Sequence, residues 1–282
     1  MTPGDLEVRV ISMHTEVPPD IRRVFPMARV IAATDLRAAT PKVLHAQGAI
    51  TEDVLESITQ GRRYHCELST CGGVGLWHSV RATLAQGSRP LLLFEEDCVP
   101  SPELPLVVER LLGLDTPTGA PDPEGAYDLA VFGPLRTDGL LATEAPAHRG
   151  FGWCDGYFWG MHAVLYTADG RARARAMLRG PVDAQLDAKV TRLALYGQPV
   201  RRTPRLRVLL QCAGEPLARQ LWHASSVQSG PGGPSGPGGL GGLGALGALG
   251  VLGALGALGA LGARGWAAAL RVCRGDGGRG PG

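Results

Sequence analysis

Three consecutive acids, Glu95, Glu96 and Asp97, end the apolar run of LLLFEEDCVP, residues 91 to 100. Adjacent carboxylates repel one another, and burying them unpaired is costly. A divalent cation removes that cost. Oxygen ligands suit magnesium or manganese, which commonly join one or two protein carboxylates to substrate phosphates. Side chains alternate along a strand, so Glu95 and Asp97 are expected on one face and Glu96 on the other. The plainer alternative is a solvated acidic turn, or charge placed to favour the start of the next helix.

Other chemistries find less support. The six cysteines, Cys66, Cys71, Cys98, Cys154, Cys212 and Cys273, form no CxxC pair and match no histidine spacing, which argues against a zinc site. Neither a Walker A sequence nor a GxGxxG after the first strand is present. The formal charge of +2 argues against nucleic-acid binding as the main activity. Lys42 and Lys189 are the only lysines, so the abundant arginine reflects compositional bias and calls for little functional explanation.

The acids need a scaffold, and the chain supplies alternating signals for one. Strands are expected at EVRVISM (7–13), ARVIAATD (28–35), RPLLLFEED (89–97), YDLAVFG (127–133), GYFWGMHAVLYT (156–167) and within the closing segment ending VLLQ (208–211). Thr51 with Glu52 and Asp53 opens a helix through about Gln60. Leu68, Leu76, Trp77, Val80 and Leu84 recur near helical spacing, predicting a longer helix that ends near Gly87. Ser101-Pro102-Glu103 starts another helix, and an arginine-rich helix follows Asp169. The uninterrupted apolar run before Glu95 suits a central parallel strand covered on both faces. Strands alternating with helices predict an α/β fold, a mostly parallel, doubly wound sheet with helices on both faces. Ligands of such sheets gather at the carboxyl ends of the strands, where Glu95, Glu96 and Asp97 are expected to lie.

The segment HCELSTCGGVGLWHSVRATLAQGSRPLLLFEEDCVP resembles the central signature of glycosyltransferase family 25, the family of lipopolysaccharide β-galactosyltransferases and collagen galactosyltransferases. Cys66, Leu68 and Ser69 match its first part, Trp77 its helix aromatic, and Glu95 and Asp97 its acidic end. VRVISM is similar to the first strand of the family's nucleotide site, Arg22-Arg23 to its early arginine, and IAATD to its second strand, ending at Asp35. AYDLAVFG, GMHAVLYTADGRARARAML, PVDAQLD and VLLQ follow in the family's order, so the resemblance spans about residues 7 to 212. Three departures stand out: Thr70 replaces a histidine, His65 a glycine, and Glu96 an aspartate.

The resemblance implies a GT-A type, Rossmann-like fold and a metal-dependent inverting hexosyltransferase. Manganese or magnesium, held by Glu95, Asp97 and Glu96, would bridge the diphosphate of a nucleotide sugar, a UDP-hexose carrying galactose or glucose. The hydroxyl acceptor would lie on a glycan, a lipopolysaccharide or a protein. Asp183 or Asp187 would take the acceptor's proton, although either could equally be a helix-start acid. Asp35, Arg22 and Ser69 would contact the donor, the plainer roles being a turn aspartate and a solvated arginine. The aromatic stretch with Trp153, Tyr157, Phe158 and Trp159 could border the acceptor, while Trp77 and His162 read as structural. The alternative is a catalytically degenerate relative that keeps the fold and serves as a binding or scaffold protein.

Residues 1–228 read as the folded domain, and 229–282 as a low-complexity Gly/Leu/Ala/Pro-rich tail. Within the tail, Gly238–Ala263 carries no charge and is long enough to cross a bilayer, but 11 of its 26 residues are glycine, which weakens a helix. The expectation is a disordered tail, with a membrane segment or an oligomerising stalk the lesser alternatives. No basic start followed by an apolar run marks the N-terminus, so a cytoplasmic setting is expected.

Overall fold

The apolar run before the acids forms a strand at the centre of the sheet, and its side chains alternate between two cores. Leu91 and Leu93 face one cluster, which also holds Trp77, Val80 and Leu84; Leu92 and Phe94 face the other, with Ile21, Leu104 and Val108. This is the two-sided burial that a continuous apolar strand requires. In the computed structural model the described residues are 6–60, 68–114, 126–134, 142–145, 148–195 and 206–221. The tail from residue 222, Cys66 and Cys273 lie outside them.

The first half of the chain runs β1 (Glu7–Ser12), α1 (Pro19–Val24), β2 (Arg29–Ala32), α2 (Pro41–Ala46), α3 (Glu52–Gln60), α4 (Cys71–Ala85), β3 (Leu91–Glu95), β4 (Cys98–Pro100) and α5 (Leu104–Leu114). The second half adds β5 (Leu129–Val131), β6 (Ala142–Glu144), β7 (Phe151–Cys154), β8 (Ala163–Tyr166), α6 (Ala168–Met177), α7 (Leu186–Leu195), β9 (Val208–Gln211) and β10 (Ala218–Gln220). Eight strands form one sheet in the order β2-β1-β3-β8-β5-β9-β7-β6, and β10 pairs separately with β4.

The architecture is α/β with helices on both faces, as expected, but the sheet is mixed. Strands β2, β1 and β3 are mutually parallel, as are β5 and β9, while β8 enters antiparallel between β3 and β5. Strands β6 and β7 add an antiparallel edge next to β9. The reversal has a local cause. The chain between β5 and β8 contains no described helix and returns through β6 and β7, whereas a parallel connection needs a long crossover.

The parallel part sets up a crevice. Strand β1 pairs with β2 on one side and β3 on the other. The β1–β2 crossover carries α1, whose Ile21 packs in one core; the β2–β3 crossover carries α4, whose Val74 and Trp77 pack in the other. The two connections therefore diverge to opposite faces between the carboxyl ends of β1 and β3. Such a topological switch point is where open α/β sheets bind ligands.

At the other end of β1, Glu7 and Arg171 lock the layers together. Arg171 is 1% exposed and donates to the carbonyls of Thr83, Leu84 and Arg89, with its guanidinium 3.3 Å from the Glu7 carboxylate. Burial works against the Glu7 charge, but the guanidiniums of Arg171 and Arg9 outweigh it and hold the carboxyl below its usual range. Within the arginine-rich α6, this residue is a buried brace and not a surface charge.

Candidate functional site

The chain turns as soon as β3 ends, and the turn separates the three acids. Glu95 is the last residue of β3, and its backbone N–H donates to His162 O at 2.9 Å, at the entry to β8. The Glu96 carboxylate reaches across to the end of β1. Its Oε2 accepts from Ser12 Oγ at 2.6 Å and from Met13 N at 3.0 Å. Ser12 is oriented in turn by accepting from His14 N at 2.9 Å. Glu96 thus spans the crevice between β1 and β3.

Asp97 takes no part in that bridge and is bonded to Gln220 of β10. It is 1% exposed, and its Oδ2 accepts from Gln220 Nε2 at 3.1 Å. Its Oδ1 is buried with no hydrogen-bond partner. Burial pushes the carboxyl up to about 6; the Gln220 bond opposes the rise and the neighbouring Glu96 charge adds to it. Strand alternation, expected to put Glu95 and Asp97 on one face, stops applying at Glu95, because strand geometry ends there and residues 96–97 form the turn into β4. The Cys98 thiol, buried beside Asp97 and Glu95, is pushed well above its ordinary value and is inert at neutral pH.

The loop after β2 brings a second charged pair to the same sheet end. Asp35 accepts from Arg37 Nε at 2.9 Å, from Arg37 Nη2 at 2.8 Å and from Arg37 N at 3.1 Å. Hydrogen bonds from Arg37 hold the Asp35 carboxyl down to about 2. Arg37 also feels the charge of Glu96, which places this guanidinium beside the crevice. The loop is clamped to α4: Thr34 N donates to Ser79 Oγ at 2.8 Å, and a Cβ on Gly75 would stand 2.2 Å from Thr34 O. Only glycine at position 75 allows that approach.

The remaining expected residues fall in varied places. Arg22 lies on the exposed side of α1, 3.8 Å from Glu16, and Arg23 pairs with Asp20. Among the described residues neither is bonded to the acids, whereas Arg37 stands beside the crevice. Ser69 is exposed just before α4, and Thr70 caps that helix by accepting from Gly73 N at 3.2 Å. Asp183 pairs with Lys189. Asp187, 5% exposed, accepts from Gly160 N at 3.2 Å and from Ala188 N at 2.9 Å. Because Gly160 is two residues from His162, Asp187 is tied to the segment that meets Glu95. Trp77 is core, its Nε1 donating to Ala184 O at 2.9 Å. Phe158 is buried and Trp153 packs under Arg207, whereas Tyr157 and Trp159 stay half-buried with ring centroids 5.7 Å apart, next to Gly160.

Sequence reasoning missed Ser12, Arg37 and Gln220. Ser12 and Arg37 were within its reach, because Ser12 ends β1 and Arg37 follows β2 at the sheet end where ligands are expected. Gln220 was not, because its partner lies 123 residues away. The chain matches no protein-family model and no curated protein. Among the described residues no helix is long and apolar enough to cross a membrane, and the Gly238–Ala263 stretch lies outside them.

A divalent ion was expected at the acids. Among the described residues no group of three or more His, Cys, Asp or Glu side chains is gathered to hold one. The buried, unpartnered Oδ1 of Asp97 nevertheless fits a hard-cation ligand, and the charges of Asp97 and Glu95 both reach the Cys98 thiol. One or two carboxylates are what magnesium or manganese takes from a protein when phosphates and water supply the other ligands.

Proposed function

We propose that the protein is a metal-dependent, inverting glycosyltransferase of GT-A type that moves a hexose, galactose or glucose, from a UDP-sugar to a hydroxyl on a glycan, a lipopolysaccharide or a protein. One observation carries the reading: an acidic turn ends the central strand at the switch point, and its buried Asp97 has a carboxylate oxygen with no partner. The resemblance of the segment around it to glycosyltransferase family 25 supports the same substrate class.

Each residue then has a chemical part. Asp97 and Glu95 would hold the ion, which when bound supplies Lewis-acid stabilisation to a leaving diphosphate. Glu96, fastened to Ser12, fixes the width of the crevice. Arg37 offers a guanidinium to the diphosphate, and Asp35 orients that guanidinium rather than touching the donor itself. Asp187 is the favoured base. The backbone amides of Gly160 and Ala188 hold its carboxylate in place, on the segment that leads to Glu95. Tyr157 and Trp159, which adjoin Gly160 in the chain, would be the rings on which an acceptor sugar stacks.

Release of UDP from UDP-galactose or UDP-glucose, followed with and without manganese, tests the proposal. Activity should require the ion and fall by at least about 100-fold in Glu95→Ala and Asp97→Ala, the scale of losing one charge-stabilising group. Unchanged turnover in both variants overturns the assignment. The second reading, a degenerate binding protein, draws on Thr70, which stands where the family has histidine and is engaged in capping α4. Tight UDP binding without turnover of any hexose donor would favour it.

A further inference from the structure

The acids sit beside a strap that begins where β9 ends. Gln211, the last residue of β9, accepts from Gly133 N and from Leu217 N, both at 3.0 Å, and donates to Glu215 O at 2.7 Å. Those bonds fold residues 212–217 back toward β4. Strand β10 then pairs antiparallel with β4, with Ala218 opposite Pro100 and Gln220 opposite Cys98. Ala218 O rests so close to Gly133 that a Cβ there would lie 1.9 Å away, and His162 Nε2 is 3.4 Å from the same oxygen. The strap finishes with two bonds onto one residue. Gln220 Nε2 donates to Asp97 Oδ2 at 3.1 Å, and Leu221 N donates to Asp97 O at 2.8 Å.

We infer that Gln220 is a positioning residue for divalent-ion binding, holding Asp97 by Oδ2 so that Oδ1 is the oxygen presented to the ion. The inference rests on the metal-dependent reading above. A carboxylate turns about its Cβ–Cγ bond, so one fixed oxygen defines where the other points. The chemistry of the partner matters as well. A lysine or arginine at this place would neutralise Asp97 and compete with a cation, whereas a neutral amide orients the carboxylate and leaves its charge available. Groups that orient metal ligands typically change metal affinity by about 10- to 100-fold when removed. The backbone pairing of β10 with β4 does not depend on the Gln220 side chain, so the orienting role can be separated from the strand.

The test uses the full chain with manganese and UDP as probes, and free manganese is counted by electron paramagnetic resonance. Wild type should bind manganese in the presence of UDP. Gln220→Ala should weaken that binding by about 10- to 100-fold. Arg219→Ala, which alters an exposed neighbour on the same strand, should bind as wild type does. If Gln220→Ala does not fold, Gln220→Met, similar in shape and lacking the amide, replaces it. Equal affinity in wild type and the Gln220 variant overturns the inference and leaves the proposed function standing. Equal weakening by Arg219→Ala also overturns it, because the strand and not the amide would then be responsible. If wild type binds no manganese with UDP, the metal-dependent reading itself falls.

Discussion

Glu96 and Asp97 are adjacent in sequence but have opposite surroundings, and the difference sets their chemistry. Glu96 receives a hydroxyl and a backbone amide, and these bonds reward its charge. Asp97 is enclosed with one neutral donor and one oxygen unpaired, so burial holds its carboxyl up to about 6. A carboxyl raised in the folded state favours the protonated form there. Its contribution to stability is therefore complete below its ordinary value of 3.8 and is lost as pH rises towards about 6. The loss amounts to about 3 kcal/mol, from roughly 1.4 kcal/mol per pKa unit. Urea titrations in EDTA at pH 4 and pH 7 should show Asp97→Asn gaining stability relative to wild type as pH rises. A difference between the two proteins that does not vary with pH would refute the buried carboxyl. Manganese with UDP should abolish this dependence, because a cation stabilises the charged form.

At the scale of elements, the site depends on close approaches that few residues permit. Gly75 lets α4 press against the loop that carries Asp35 and Arg37, and methylating it would drive a carbon to 2.2 Å from Thr34 O. The neighbour is backbone, so the contact can be relieved only by moving the loop or the helix. Gly75→Ala should cost about 1 to 3 kcal/mol, the usual range for overpacking, and should weaken UDP binding more than a remote variant of equal stability. Calorimetry of UDP binding beside a denaturant melt separates the two effects. Elements written in local sequence were legible in advance. Strand β3 follows from four consecutive apolar residues, and α3 from Thr51 and the acids after it. Strands β4, β6 and β10 were not legible, since each is three residues long and exists only through a partner. For the same reason the acids were assigned strand alternation: nothing in EED announces that the chain turns there.

For the molecule as a whole, the fold class was readable because alternating strands and helices constrain topology strongly, while the antiparallel entry of β8 was not. Reversal of β8 depends on the β6–β7 excursion, whose segments FGWC and ATE carry weak strand signals. The Glu7–Arg171 brace was hidden by the compositional excess of arginine, which makes one buried guanidinium look like its exposed neighbours. Removing one partner of such a buried pair leaves an uncompensated charge and typically costs about 3 to 5 kcal/mol. Glu7→Gln should therefore lower stability by about that range, read from chemical denaturation at neutral pH, without changing manganese affinity, because the brace sits at the sheet end away from the acids. A variant that melts like wild type would show the brace to be dispensable.

The chain enters the sheet at Glu7, beside the Arg171 brace, and leaves β10 one residue before Leu221, whose amide is bonded to Asp97. Attachments to the two flanks are therefore not equivalent. A load, label or solid support joined ahead of Leu6 acts on the braced foot of the sheet. The same handle joined after Leu221 pulls directly on the acidic turn, so immobilised protein should keep or lose its cation affinity according to which flank is anchored.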